Sequence, residues 1–144
     1  MISDGSRVTK DFGRLNRYEV AQTGEKIAII GLGTFFELAK EAAKLLKKEA
    51  GINATIINPY YITGLDETLL TKLKQNHDTV ITLEDGILDG GFGEKIARFY
   101  GASKMKVMNY GLKKEFLDRY DVDAVLKENH LTAEQIVEDV LSIL

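Results

Sequence analysis

ITLEDGILDGGFGEKIARFYG, residues 81–101, decides how the rest of the chain is read. A β-branched run stops at two acids, Glu84 and Asp85. Gly86, Gly90, Gly91 and Gly93 follow within eight residues, and a helix-like pattern then begins. Strand, acidic corner, glycine turn and helix in this order form the usual seat of a phosphate or cofactor site. Glycines also permit positive φ and close backbone approach, whether to a ligand or to another chain. On the residues alone, ligand binding and packing or an interface stand as equal readings.

Upstream, the same alternation recurs. KIAIIG (26–31) is a short β-branched run of the kind that forms a buried strand. GLGT follows, and then Phe35, Leu38, Ala42, Leu45 and Leu46 fall at helical spacing, with Gly51 placed as a C-cap. ATIIN (54–58) reads as a second strand and Asp66 as the N-cap of a helix near 67–75. DTVITLE (78–84) is a third strand, followed by a helix at 92–100, and MKVMNY (105–110) is a fourth. Residues 122–128 are expected to form a short helix. Thr132 opens a last one with Ile136, Val137, Val140 and Leu141 on one face. A short strand at Tyr18–Val20 is placed at one edge. The pattern predicts an α/β fold: a three-layer α/β/α sandwich on a mostly parallel five-stranded sheet with one antiparallel edge strand.

Residues 1–17 are polar, lack a period and carry two glycines, so they read as a linker or the cut end of a longer chain, with one domain over 18–144. The 44% hydrophobic and 28% charged composition is that of a folded domain. A net charge of −3 supplies no reason to expect nucleic acid or an anionic membrane. With no cysteine, thiolate chemistry, disulfides and Cys-based metal sites are excluded, and a cytoplasmic location is the expectation. No apolar run approaches the ~18 residues that span a bilayer.

Gly31, Gly33 and Thr34 of GLGT form a second candidate anion or interface site. The dinucleotide fingerprint fails, because Phe36 stands where the third glycine belongs and the next strand ends at Asn58 rather than a carboxyl. Thr34 with Glu37 fits a capping box, which would satisfy the first helical amides internally. His77 and His130 sit in polar contexts and read as surface residues; no triad spacing accompanies them. Lys47-Lys48 and Lys113-Lys114 read as solvated faces. No nucleophile, metal cage or P-loop emerges, so no catalytic, cofactor-binding or metal-binding residue is assigned.

The order of motifs resembles a known module. A strand into G-L-G-T and a helix, L-D-E (65–67) before another helix, T-L-E-D-G…G-G-F-G (82–93), and a strand into Y-G-L (110–112) look like the C-terminal domain of transketolase-type thiamine diphosphate enzymes. Within that group the chain is most similar to the 1-deoxy-D-xylulose-5-phosphate synthases, over about residues 18–144. In those enzymes an arginine usually stands at the position of Tyr60 and Lys-Pro at Thr63-Gly64. Lys113 replaces a proline, Glu94 a small residue, while Phe116 keeps the aromatic. These departures mark a divergent member.

The resemblance implies a parent enzyme, a homodimer, that condenses pyruvate with glyceraldehyde 3-phosphate on thiamine diphosphate and Mg²⁺ held by other domains. The equivalent domain of a transketolase or of a 2-oxo-acid dehydrogenase E1 β chain is the alternative, as is a stand-alone anion-binding module. This piece alone is then expected to bind no cofactor and to be inactive. Its roles would be structural and dimer contact, with Gly31, Gly33, Thr34, Glu84, Asp85, Gly90, Gly91, Phe92 and Gly93 as a possible anion or interface site. Ile87, Leu88 and Phe92 are expected to be exposed apolar groups that a second subunit or the remaining domains cover.

Overall fold

A computed structural model describes residues 17–60, 64–87, 91–112 and 131–143, with 85–87 and 112 described by their backbone. Five strands form one sheet: β1 (Glu19–Gln22), β2 (Lys26–Gly31), β3 (Thr55–Asn58), β4 (His77–Ile87) and β5 (Lys106–Leu112). A 3-10 turn, Gly33–Phe35, leads into α1 (Phe36–Ala50). The other helices are α2 (Glu67–Leu73), α3 (Phe92–Tyr100) and α4 (Ala133–Ile143). The spatial order is β1-β3-β2-β4-β5; β1 pairs antiparallel with β3 and every other pairing is parallel.

Crossover handedness explains the layers. From β2 the chain moves one way to β3, then reverses past β2 to β4 and on to β5. Right-handed connections in opposite directions must place their helices on opposite faces. α1 accordingly packs with α4 on one face, against Ile27, Ile29, Ile81 and Leu83. α2 and α3 cover the other, against Ala28, Ile30 and Val80. Successive residues of β2 thus alternate between two cores, the period-two signature of a strand buried on both sides. The three-layer α/β/α fold and its antiparallel edge strand are as the sequence predicts.

Local chemistry sets the helix ends. Gly51 closes α1 at φ 68°, a left-handed conformation, and its N–H reaches Lys47 O. Asp66 caps α2 by accepting from Leu69 N at 3.2 Å. Three expectations fail. The Thr34–Glu37 capping box does not form: Thr34 lies exposed inside the 3-10 turn, Phe35 takes the N-cap position and no side chain caps it. The extra turn moves the helix start past Thr34 and carries its hydroxyl off the helix axis. Leu141 is 38% exposed, because Ala133, Ile136, Val137 and Val140 already fill the buried stripe of α4. His77, expected at the surface, is the half-buried first residue of β4. The predicted helix at 122–128, His130, Lys113-Lys114 and Phe116 lie outside the described residues.

Candidate functional site

The strands that lead into the two glycine motifs are neighbours in the sheet. Gly31 pairs with Leu83 in register, and Leu32 N donates to Leu83 O at 2.9 Å. Both loops leave the C-terminal ends of adjacent parallel strands whose connections diverge to opposite faces. That is a topological switch point, where open α/β sheets usually bind ligands. Tyr60, at the end of β3, joins the same rim through Gly33 N→Tyr60 O at 2.8 Å. It is 49% exposed, with φ 60° and its hydroxyl on Glu19 at 2.8 Å.

Four amides of the rim are spent within the protein. Leu32 N, Gly33 N and Phe35 N all donate to protein carbonyls, and so does Phe36 N, which closes the 3-10 turn on Gly33 O. Gly33 is left-handed, φ 61°, as that turn demands. Gly31 allows α1 to start against the strand: an added Cβ would stand 2.7 Å from Phe35 O and 2.8 Å from Phe36 Cα.

Glu84 continues β4 on the face of Val80 and Thr82, so its side chain meets the start of α3. It is 3% exposed; Oε1 accepts from Phe92 N at 3.2 Å and Oε2 from Gly93 N at 2.5 Å. Two of the orphan amides that open a helix are thereby satisfied from the strand. Gly91 is the extended N-cap residue of α3, and no side chain of its own caps it. Gly93 packs onto Thr82 and Asn109, whose side chains are joined by a 2.7 Å hydrogen bond. Asn109 and Thr82 were not singled out from the sequence; the signal was polar residues within otherwise apolar strands.

Phe92 corrects an expectation. Its ring is 2% exposed, packed edge-on against Tyr18 at 6.0 Å between centroids. Tyr18, one residue before β1, is buried as well, with its N–H on Asp66 at 2.9 Å and its hydroxyl on Gly64 O. The chain before the edge strand thus covers an aromatic that sequence reading left to a second subunit. The side chains of Asp85 and Ile87, and all of Leu88 and Gly90, lie outside the described residues.

His77 lies at the opposite, N-terminal end of the sheet, away from the crevice. Its Nδ1 is 3.1 Å from Leu73 O, an acceptor, so Nδ1 carries the proton and Nε2 accepts from the Thr55 hydroxyl at 2.7 Å. Burial pushes its pKa below the ordinary 6.5, against the partial opposition of the Leu73 carbonyl, Asp78 and Glu25. As pH falls below about 6.5 the unfolded chain therefore takes up a proton before the fold does, and stability is lost. Between about pH 7.5 and about pH 5.5 the wild type should lose more urea resistance than His77→Gln. Parallel losses in the two proteins would refute the assignment.

Among the described residues, no group of three or more His, Cys, Asp or Glu is placed to hold a metal, and no helix is long and apolar enough to cross a membrane. Among the described residues, the Leu32, Gly33, Phe35, Phe36, Phe92 and Gly93 amides of the crevice already have partners, and the buried acid caps a helix. These residues do not fit a diphosphate with its Mg²⁺.

What fold and site define is a doubly wound α/β domain whose switch point is built as a packed corner. Residues 16–136 match the family described as transketolase, C-terminal domain, and the chain belongs to that family. Curated relatives named 1-deoxy-D-xylulose-5-phosphate synthase include those of Symbiobacterium thermophilum, 36% identical over 126 residues, and Clostridium perfringens strain 13, 33% over 130. These alignments take in 86% and 89% of this chain but 19% and 21% of the relatives, so the chain spans about a fifth of their length. A split-gene transketolase solved as an inactive β4 tetramer is 28% identical with a TM-score of 0.77, over 88% of this chain and 42% of that one. The 2-oxoglutarate:ferredoxin oxidoreductase of Magnetococcus marinus, 20% identical with a TM-score of 0.59 over 98% of this chain and 22% of that one, shares the fold. The chain is thus a transketolase C-terminal domain homologous to the corresponding region of those synthases.

Proposed function

We propose that this domain serves a 1-deoxy-D-xylulose-5-phosphate synthase-like enzyme, condensing pyruvate with glyceraldehyde 3-phosphate and releasing CO₂. The observation that carries the reading is the 30–36% identity to such synthases over most of the chain. In this reading thiamine diphosphate and Mg²⁺ belong to the remaining domains, and the cofactor supplies the carbanion chemistry. The part played here is structural: the crevice rim of Gly31, Gly33, Thr34, Glu84 and Gly93 buttresses those domains and a dimer mate. The self-satisfied amides and the buried Glu84 support a packing role over anion binding.

Reconstitution tests it. Combined with the domains that hold the cofactor, on the same or another polypeptide, this chain should support one CO₂ released per 1-deoxy-D-xylulose 5-phosphate formed. The isolated chain should neither turn over nor show saturable calorimetric binding of thiamine diphosphate with Mg²⁺. Transfer from a ketose phosphate with no use of pyruvate would assign the domain to a transketolase instead. Tight cofactor binding by the isolated chain would overturn the structural role.

A further inference from the structure

A groove of about 560 Å³ lies between α1 and the β1–β3 edge, on the flank of the sheet and apart from the crevice. Its helical wall carries Lys40, Lys44, Lys47 and Lys48. The spacing i, i+4, i+7, i+8 stacks all four on one helix face. Like charges at i,i+4 repel, so the stripe gains nothing from itself. Lys40 is paired with Glu37 at 2.9 Å, whereas Lys44, Lys47 and Lys48 have no ion-pair partner among the described residues. The negative helix end offsets the two lysines of the last turn, Lys47 and Lys48, while Lys44 shares a neighbouring hollow with Glu41 and Glu134.

The opposite wall is polar and fixed in place. The β1–β3 register shifts between Val20 and Gln22, which turns Gln22 and Thr23 to the groove, and Gln22 is tied to Ala54 O at 2.9 Å. Asn53 lines the groove while its carbonyl holds Glu25 N at 2.8 Å. Between the walls, the small side chain of Ala43 leaves an apolar floor that Ile56 completes.

We propose that this groove binds a small molecule bearing two or more phosphoryl groups. The volume falls in the range of small-ligand sites, about 300–1,000 Å³. Lysines act on phosphoryl oxygens as mobile point charges and need no bidentate geometry. The amide and hydroxyl groups opposite can donate to the same oxygens, and the apolar floor suits an organic portion. An overall charge of −3 makes a local stripe of four cations a feature of place rather than of bulk composition.

The probes are tripolyphosphate and adenosine diphosphate, titrated into the full 144-residue chain and followed by backbone amide NMR at about 50 mM salt. Saturable shifts of the Thr23, Ala43 and Asn53 amides are expected, with Kd below about 1 mM. The triple variant Lys44→Gln, Lys47→Gln, Lys48→Gln should bind at least about tenfold more weakly, whereas Lys72→Gln, Lys74→Gln, Lys104→Gln should stay within about twofold. Tighter binding of the nucleotide would place its organic part on Ile56; tighter binding of tripolyphosphate would assign the site to the phosphoryl chain alone. Equal losses in both triple variants, absence of saturation, or equal affinity for hexaglutamate would overturn the proposal.

Discussion

Replacing Glu84 will destabilise the fold more than any surface substitution, by about 3 kcal/mol for Glu84→Ala. The side chain is 3% exposed, and its two oxygens take the Phe92 and Gly93 amides that open α3. Truncation leaves both buried N–H groups without an acceptor and opens a void where water enters poorly. Glu84→Gln preserves shape but turns one acceptor into a donor facing an N–H, so about 2 kcal/mol is expected. Both losses are read as lower urea midpoints at unchanged slope, since the surface exposed on unfolding is the same. A midpoint for Glu84→Ala within about 0.5 kcal/mol of wild type would mean that α3 is not anchored by this acid.

Gly31→Ala is expected to destabilise by about 3 kcal/mol, and Gly93→Ala by about 2 kcal/mol. At Gly31 the new methyl meets backbone, Phe35 O at 2.7 Å and Phe36 Cα at 2.8 Å, with the Ala39 Cβ at 3.0 Å behind them. Relief requires moving the start of α1 off the sheet. At Gly93 the obstacles are side chains, Thr82 Oγ1 at 2.5 Å and Asn109 Oδ1 at 2.7 Å. Asn109 is exposed and can swing away, but Thr82 is fully buried and β-branched, so turning its hydroxyl aside must find room for a displaced methyl and breaks the bond to Asn109. Helix propensity pulls the other way at Gly93, since Ala is favoured over Gly by about 1 kcal/mol inside a helix. The clash should win. Adding Thr82→Ala to Gly93→Ala should restore most of the loss, whereas no single side-chain truncation should rescue Gly31→Ala. A neutral Gly93→Ala would show that the interlock of α3 with β4 and β5 is looser than the distances indicate.

Strand and helix positions were legible because each answers to a local rule. The run 26–31 is a strand buried on both faces, and its β-branched residues show it without reference to neighbours. Gly51 and Asp66 terminate helices by backbone and side-chain chemistry that acts within a turn. The bounds of α3, Phe92–Tyr100, match those expected from its apolar spacing. The edge strand was expected at Tyr18–Val20 and lies at Glu19–Gln22: Tyr18 is the buried plug ahead of β1, not part of it. The family resemblance of the motif order is borne out by the match over residues 16–136.

By itself, then, the sequence determined the layer architecture, the family and the places where two glycine motifs interrupt it, because hydrophobic period, capping and glycine content act over a few residues. Only the tertiary structure decided what those motifs touch. That Gly31 lies beside Leu83 follows from parallel pairing across 52 residues, and that Glu84 faces α3 follows from the parity of β4 combined with the side taken by the crossover. Phe92 became core instead of surface because Tyr18, 74 residues away in sequence, closes over it. His77 is the first residue of β4 because Lys26, 51 residues earlier, pairs with it in the parallel ladder. Such contacts join residues distant in the chain, and no local spacing encodes them.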